Sequence, residues 1–187
     1  MDSPDVCRCG WCNLKNQAYI DYHDREWGVP SHDDHRLFEL LILESFQAGL
    51  SWECVLNKRE SFRRAFDRFD LSRVCGYEEA DVQRLLSDSS IIRNQLKIRA
   101  SITNARVFRS IQLEYGSFSN YIWHFTEGRV LHETGKASST LSDRISADLR
   151  KRGMKFVGTT IVYSYLQAMG VINSHDEGCF LYQSDGL

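Results

Sequence analysis

The sequence predicts an all-α protein, and three observations carry that reading. Only two prolines occur in 187 residues, Pro4 and Pro30. Strictly alternating segments, the mark of half-buried strands, are scarce. Apolar residues recur instead at helical spacing almost throughout, as in Ile98, Ile102, Ala105 and Phe108.

The elements follow in chain order. Asp33 or Asp34 caps a helix that runs to about Gln47, and Gly49 breaks it. Ser51 caps the next helix, which carries Trp52, Val55, Leu56, Phe62 and Phe66. A short helix near 78–87 ends in the polar cluster Ser87–Asp88–Ser89–Ser90. A longer one runs from about Asn94 to Glu114, and Ser117 starts a short helix through Trp123. Residues 126–140 read as a loop. Helices near 141–152 and 159–169 complete the chain, with Gly153 and Gly170 placed as their C-terminal stops.

Bulk properties bound the function. The chain is long enough to bury a proper core, and no repeat or linker divides residues 1–187, so a single domain is expected. No apolar run is long enough to span a membrane, and no signal segment opens the chain, which points to a cytoplasmic protein without a membrane partner. Six cysteines, at 7, 9, 12, 54, 75 and 179, suit reduced thiols or metal ligation better than a disulfide framework. A net charge of −2 excludes a polybasic nucleic-acid binder. Local basic clusters (Lys58 to Arg68, Arg93 to Arg109, Arg150 to Lys155) remain, although most such runs are solvated helix faces.

Glu44 is the most informative single residue. Leu37, Leu41, Glu44 and Ala48 share one helical stripe, so the carboxylate lies among core residues, whereas Glu39 lies off it and reaches water. A carboxylate on an apolar face is costly unless paired, hydrogen-bonded or protonated. It is either a structural carboxylate capping backbone or pairing a buried Arg, or a functional group. Gln47, Ala48, Gly49, Leu50, Ser51 and Trp52 follow it directly and favour the second.

The two ends offer metal ligands. His23 lies fourteen residues after Cys9, and Cys179 lies four after His175. One Cys and one His from each end would make a closed tetrahedral zinc site of structural type. Cys9 and Cys12 are alternatively a redox pair, or together supply both sulfur ligands.

Taken together, several ordered blocks resemble the 3-methyladenine DNA glycosylase I family. They are Arg8–Cys9–Gly10–Trp11, Tyr22–His23–Asp24–Arg25–Glu26–Trp27–Gly28–Val29–Pro30 and Glu44–Ser45–Phe46–Gln47–Ala48–Gly49–Leu50–Ser51–Trp52. Further blocks are Ile91–Ile92–Arg93–Asn94, Lys97–Ile98, the run from Lys151 to Thr160, and Gln167–Ala168–Met169–Gly170 with Asn173, His175 and Cys179. The resemblance implies a two-lobed helix-hairpin-helix glycosylase fold with a structural zinc tying the termini together. Its ligands would be Cys9, His23, His175 and Cys179. The implied partner is double-stranded alkylated DNA, bound by a monomer.

The resemblance also implies the chemistry. A base methylated on N3 of adenine is cationic while attached to the sugar, so its glycosidic bond is already weak. Selective capture then matters more than acid catalysis. The nucleotide must be flipped from the stack at a cost of roughly a few kcal/mol. Electron-rich rings at Tyr22, Trp52, Tyr19 and Trp11 suit a cationic guest, while Trp27 is expected to be a core aromatic. Glu44 matches the carboxylate aimed at the adenine edge, and Ser164 adds a polar contact. Leu50 is either a wedge filling the gap in the duplex or a staple onto Val55. The segment from Ser90 to Lys97 matches a phosphate-holding hairpin, with Ser90 where relatives show Gly and with Arg93 and Lys97 as backbone contacts. No lysine stands out as a Schiff-base nucleophile, so base removal without strand cutting is expected. The competing reading is a non-catalytic, zinc-stabilised helical module that binds DNA or protein.

Overall fold

The computed structural model describes residues 6–183. Among them lie ten α-helices: α1 (Gln17–Arg25), α2 (Asp34–Gln47), α3 (Trp52–Leu56), α4 (Arg59–Ala65), α5 (Leu71–Cys75), α6 (Glu79–Ser87), α7 (Gln95–Tyr115), α8 (Phe118–His124), α9 (Thr140–Lys151) and α10 (Thr159–Ala168). One 3-10 turn spans Asp67–Phe69, and two parallel two-residue strands pair β1 (Leu131–His132) with β2 (Ile172–Asn173).

Helix α2 is the spine. Every residue from Leu37 to Phe46 is buried, because α2 packs against α7 and α8 and also against α10. A helix enclosed on several sides must be apolar on several sides, which is why its sequence shows no clean polar face. Asp33 caps it by accepting from the His35 N–H, as expected from the sequence. Gly49 follows at φ +79 and turns the chain.

Most of the expected helices form, with displaced details. The helix expected to run on from Ser51 divides at Asn57 and Lys58 into α3 and α4. Tertiary partners occupy both bend residues: Asn57 accepts from Asn16 at 2.9 Å, and Lys58 Nζ donates to the Ser90 carbonyl at 3.0 Å. Helix α1 was not anticipated, since its buried side is Tyr22 and His23 rather than an aliphatic stripe. Strand β1, inside the 126–140 loop, depends on a partner 41 residues further on and has no local signal.

Glu39 corrects an expectation. It does not reach water; it is 4% exposed and accepts from Arg59 Nε and from Arg63. Arg59 also donates to both oxygens of Glu26, at 3.0 and 2.8 Å. α4 lies over this face of α2, so a position outside the main stripe is covered and ionic rather than solvated.

Gly170 anchors the return of the chain to its N-terminal region. It sits at φ +76, and a Cβ there would lie 2.2 Å from the Val29 carbonyl carbon. The Ser31 N–H donates to Met169 O at 3.0 Å across the same joint. Close backbone approach is therefore what requires glycine here.

Candidate base-binding pocket and metal centre

A cavity of about 320 Å³ opens between α1, the C-terminal half of α2, α3 and α10, near the small end of the range for ligand pockets. Glu44, Tyr22, Trp52, Tyr19, Trp11 and Ser164, all singled out from sequence, line it together. Tyr22 and Trp52 form its floor, with ring centroids 5.1 Å apart and both buried. Trp11 stands at the mouth, 36% exposed, against Tyr19 at 5.4 Å. Trp27 is buried like a core aromatic but also lines the cavity, and its ring meets Trp11 edge-on at 4.7 Å.

Four polar atoms of this cavity lack partners. Glu44 Oε2, Gln47 Oε1, Trp52 Nε1 and Ser174 Oγ are buried with no hydrogen bond among the described residues. Buried polar atoms are almost always satisfied, so an orphaned cluster in one cavity points to a polar guest. It offers a donor, two acceptors and a hydroxyl. Glu44 is 2% exposed, and burial alone pushes its carboxyl up to about 8. Burial in the empty pocket therefore favours the neutral acid over the carboxylate.

Several lining residues were not foreseen as site residues: Gln47, Gly135, Lys136, Gln167, Ser174 and Asp176. Gln47 and Gln167 stand inside the quoted sequence blocks, so their neighbours signalled them. Lys136 sits on the 126–140 loop, paired with Glu133 at 3.4 Å, and only the fold brings it to the cavity.

Behind the aromatic wall lies a Cys/His cluster. The ligand atoms of Cys9, His23, His175 and Cys179 all lie within 4.8 Å of one another, and all four residues are buried. Cys9 Sγ is 3.4 Å from His175 Nδ1, and Cys179 Sγ is 3.5 Å from both His23 Nε2 and His175 Nδ1. Ligands around a tetrahedral ion at metal bonds of about 2.0–2.3 Å stand at such separations. The outer contacts fit as well. His23 Nδ1 meets Asp24 Oδ1 at 2.7 Å, and His175 Nε2 meets Trp27 O at 3.3 Å, which turns the other nitrogen of each ring toward the cluster. Burial pushes the Cys9 thiol up to about 12, so it needs a cation beside it to become a thiolate, and holds His175 down to about 4, which already leaves that imidazole neutral and free to ligate. Cys12 lies outside it, with its thiol 3.9 Å from Tyr19 O, and Cys7 is exposed.

A family model described as Methyladenine glycosylase matches residues 11–182. The chain belongs to the methyladenine glycosylase family. It is 46% identical over 182 residues to DNA-3-methyladenine glycosylase 1 of Escherichia coli (strain K12), across 94% of this chain and 96% of that one. To a DNA-3-methyladenine glycosylase of Haemophilus influenzae it is 36% identical over 178 residues, covering 92% and 96%. A crystal structure of a 3-methyladenine DNA glycosylase I superposes with a TM-score of 0.90 at 44% identity, across 95% of this chain and all of that one. The Staphylococcus aureus enzyme, studied for 3-methyladenine recognition, matches at 0.88 and 32% identity, covering 92% and 95%.

The other candidate residues of this family member do not line the cavity. Leu50 is 42% exposed at the turn after α2. Arg93 is exposed between α6 and α7. Ser90 takes no left-handed conformation, so serine stands there without strain. Its N–H and hydroxyl both donate to Asp88 Oδ1, and the Lys97 N–H donates to Asn94 Oδ1. These hairpin donors are thus engaged internally. Lys97 departs from expectation altogether: it is 7% exposed, and its ammonium points into the protein.

Proposed function

We propose that this chain is a monofunctional DNA N-glycosylase that flips out 3-methyladenine nucleotides, hydrolyses the glycosidic bond and leaves an abasic site. The observation that carries this reading is the cavity where Glu44, Gln47, Trp52 and Ser174 offer unpartnered polar atoms beside clustered aromatic rings. Its size and its mixture of rings and edge-reading groups suit one flat heterocycle.

The residues divide the work. Tyr22 and Trp52 face a cationic ring, each such contact contributing roughly 0.5–2 kcal/mol when desolvated. Glu44, neutral when the pocket is empty, donates to a ring nitrogen or, once a cationic base drives off its proton, accepts from the exocyclic amine. An ionised Glu44 then opposes the positive charge that passes from base to sugar as the bond breaks. Ser164 and Gln47 complete the polar edge. The Lys136 ammonium is paired with Glu133 and exposed, a poor setting for a Schiff-base nucleophile.

Zinc suits the Cys9, His23, His175 and Cys179 set, whose closed four-ligand chemistry is structural rather than catalytic. It would tie the chain's ends together and stiffen the wall behind Trp11 and Trp27, whose rings lie 5.2 Å from His23 and 4.7 Å from His175.

Double-stranded DNA is read from outside the cavity. Exposed Leu50 is placed to fill the gap a flipped nucleotide leaves. The α9–α10 hairpin is the better phosphate holder, since α10 starts at Gly158 with no side-chain cap and Arg150, Lys151 and Lys155 surround it. Arg93 adds a backbone contact from the α6–α7 hairpin. Every group named comes from residues of one domain, which supports a monomer.

The deciding experiment is chromatography of bases released from methylated duplex DNA by native protein and by Glu44→Ala. Release of 3-methyladenine, with 7-methylguanine left behind, is expected from the native chain and should fall sharply in the variant. No release by folded, zinc-loaded native protein would favour the binding module. A DNA adduct trapped at Lys136 by borohydride would overturn the monofunctional part.

A further inference from the structure

Lys97 was expected on the DNA backbone, yet it is buried at the start of α7. Its Nζ donates to Phe46 O at 2.9 Å and to Ala48 O at 2.6 Å. No carboxylate pairs with it among the described residues, and burial lowers its pKa. Placing an unpaired ammonium in the interior is costly, so two carbonyls must hold it closely.

Those carbonyls belong to a particular place. They end α2, where the last carbonyls of a helix are unsatisfied and carry its negative dipole end. The Leu50 N–H, which would continue the helix by bonding Phe46 O, turns instead to Gln47 O at 2.6 Å. Lys97 therefore takes the place of the next helical turn. The turn it holds follows Gln47, which lines the base cavity, and carries Leu50, which is exposed. On its other side, Lys97 Nζ lies 5.9 Å from the ring centre of Phe156, inside the α9–α10 hairpin. One buried side chain thus joins the end of α2, the turn after it and the α9–α10 hairpin.

We propose that Lys97 is a positioning residue that holds the Ala48–Leu50 turn in the geometry needed to penetrate the duplex, without touching DNA or base itself. This rests on the glycosylase reading given above. Lys97, Ala48, Gly49 and Leu50 do not line the base cavity, whereas Glu44, Tyr22 and Trp52 line it from α2, α1 and α3, so the proposal gives Lys97 no share in recognising a base already out of the stack.

The test uses the full chain carrying Lys97→Met, Lys97→Arg or Leu50→Ala, each checked for a cooperative melt. Two substrates place 3-methyladenine opposite thymine or in a single-nucleotide bulge, where extrusion costs less. Affinity for free 3-methyladenine is measured alongside. Lys97→Met should lower kcat on the paired lesion about tenfold or more, on the scale of one lost charge-assisted hydrogen bond. It should lower kcat on the bulge at most about threefold and leave free-base affinity within about twofold. Lys97→Arg, which keeps the charge and donors, should recover much of the loss even if Lys97→Met fails to fold. Equal losses on both substrates, weakened free-base binding in step with the rate, or an unchanged rate would each overturn the proposal. Leu50→Ala should show the same selectivity for the paired lesion; an unchanged rate there would remove the wedge and with it the role given to Lys97.

Discussion

Glu39 and Glu44 stand five residues apart on α2, about 140° around the helix, and the fold gives them opposite electrostatic states. Glu39 is bound by Arg59 and Arg63, which hold its carboxyl below the usual range although burial opposes them. Glu44 has no charged partner, and burial pushes its carboxyl up to about 8. One supports the scaffold, and the other waits in the cavity with an open oxygen.

The neutral Glu44 makes stability depend on pH. Its folded value lies above the ordinary 4.5, so the folded chain holds a proton that the unfolded chain has released. Stability should therefore fall as pH rises from about 4.5 through about 8. The shift corresponds to a penalty of at most about 5 kcal/mol above that window. Glu44→Gln removes the ionisable group, so its melting temperature should exceed the native one at pH 9 and approach it at pH 5. Parallel melts at both values check this, and a constant offset would contradict the assignment.

Glu39 behaves with the other sign. Its depressed value contributes stability above the ordinary carboxylate range, lost as acid protonates it. Glu39→Gln should cost about 3 kcal/mol at pH 7, because Arg59 is left buried with only Glu26. Urea unfolding measures this directly. A loss below about 1 kcal/mol would mean that the Glu26–Arg59 pair alone suffices.

Metal binding separates the cysteines. Cys9→Ala should purify with less than one zinc per chain and unfold at lower temperature, whereas Cys12→Ala should keep its metal, since its thiol lies outside the cluster. Elemental analysis with thermal melts before and after chelation decides between them. Metal lost from Cys12→Ala but kept by Cys9→Ala would reverse the ligand assignment.

Trp52 should carry much of the affinity for the base. Removing one stacking ring costs about 1–3 kcal/mol, so Trp52→Ala should bind free 3-methyladenine roughly 5- to 100-fold more weakly. Calorimetric titration reads this. Unchanged affinity would place the base elsewhere in the cavity.

Much of this molecule was legible in the chain itself. Helical spacing and caps at Asp33, Ser51, Asn94 and Ser117 located most helices, because these signals act over a single turn. Ordered motifs brought Glu44, Tyr22, Trp52, Tyr19 and Trp11 into one reading, and spacing joined Cys9 and His23 to His175 and Cys179 across 150 residues and more of intervening chain.

Other matters depended on which helix lay against which. Nothing local says that α4 covers Glu39, that Lys97 turns inward to end α2, or that Lys136 comes round to the cavity. A charged side chain reads as exposed until a distant element removes its water and supplies a partner. Sequence by itself thus determined most of the helices, the family and the chemical types at the site. The charge states of Glu39 and Glu44 and the place of Lys97 were decided by tertiary structure alone, because desolvation and pairing belong to the packed neighbours and not to the residue.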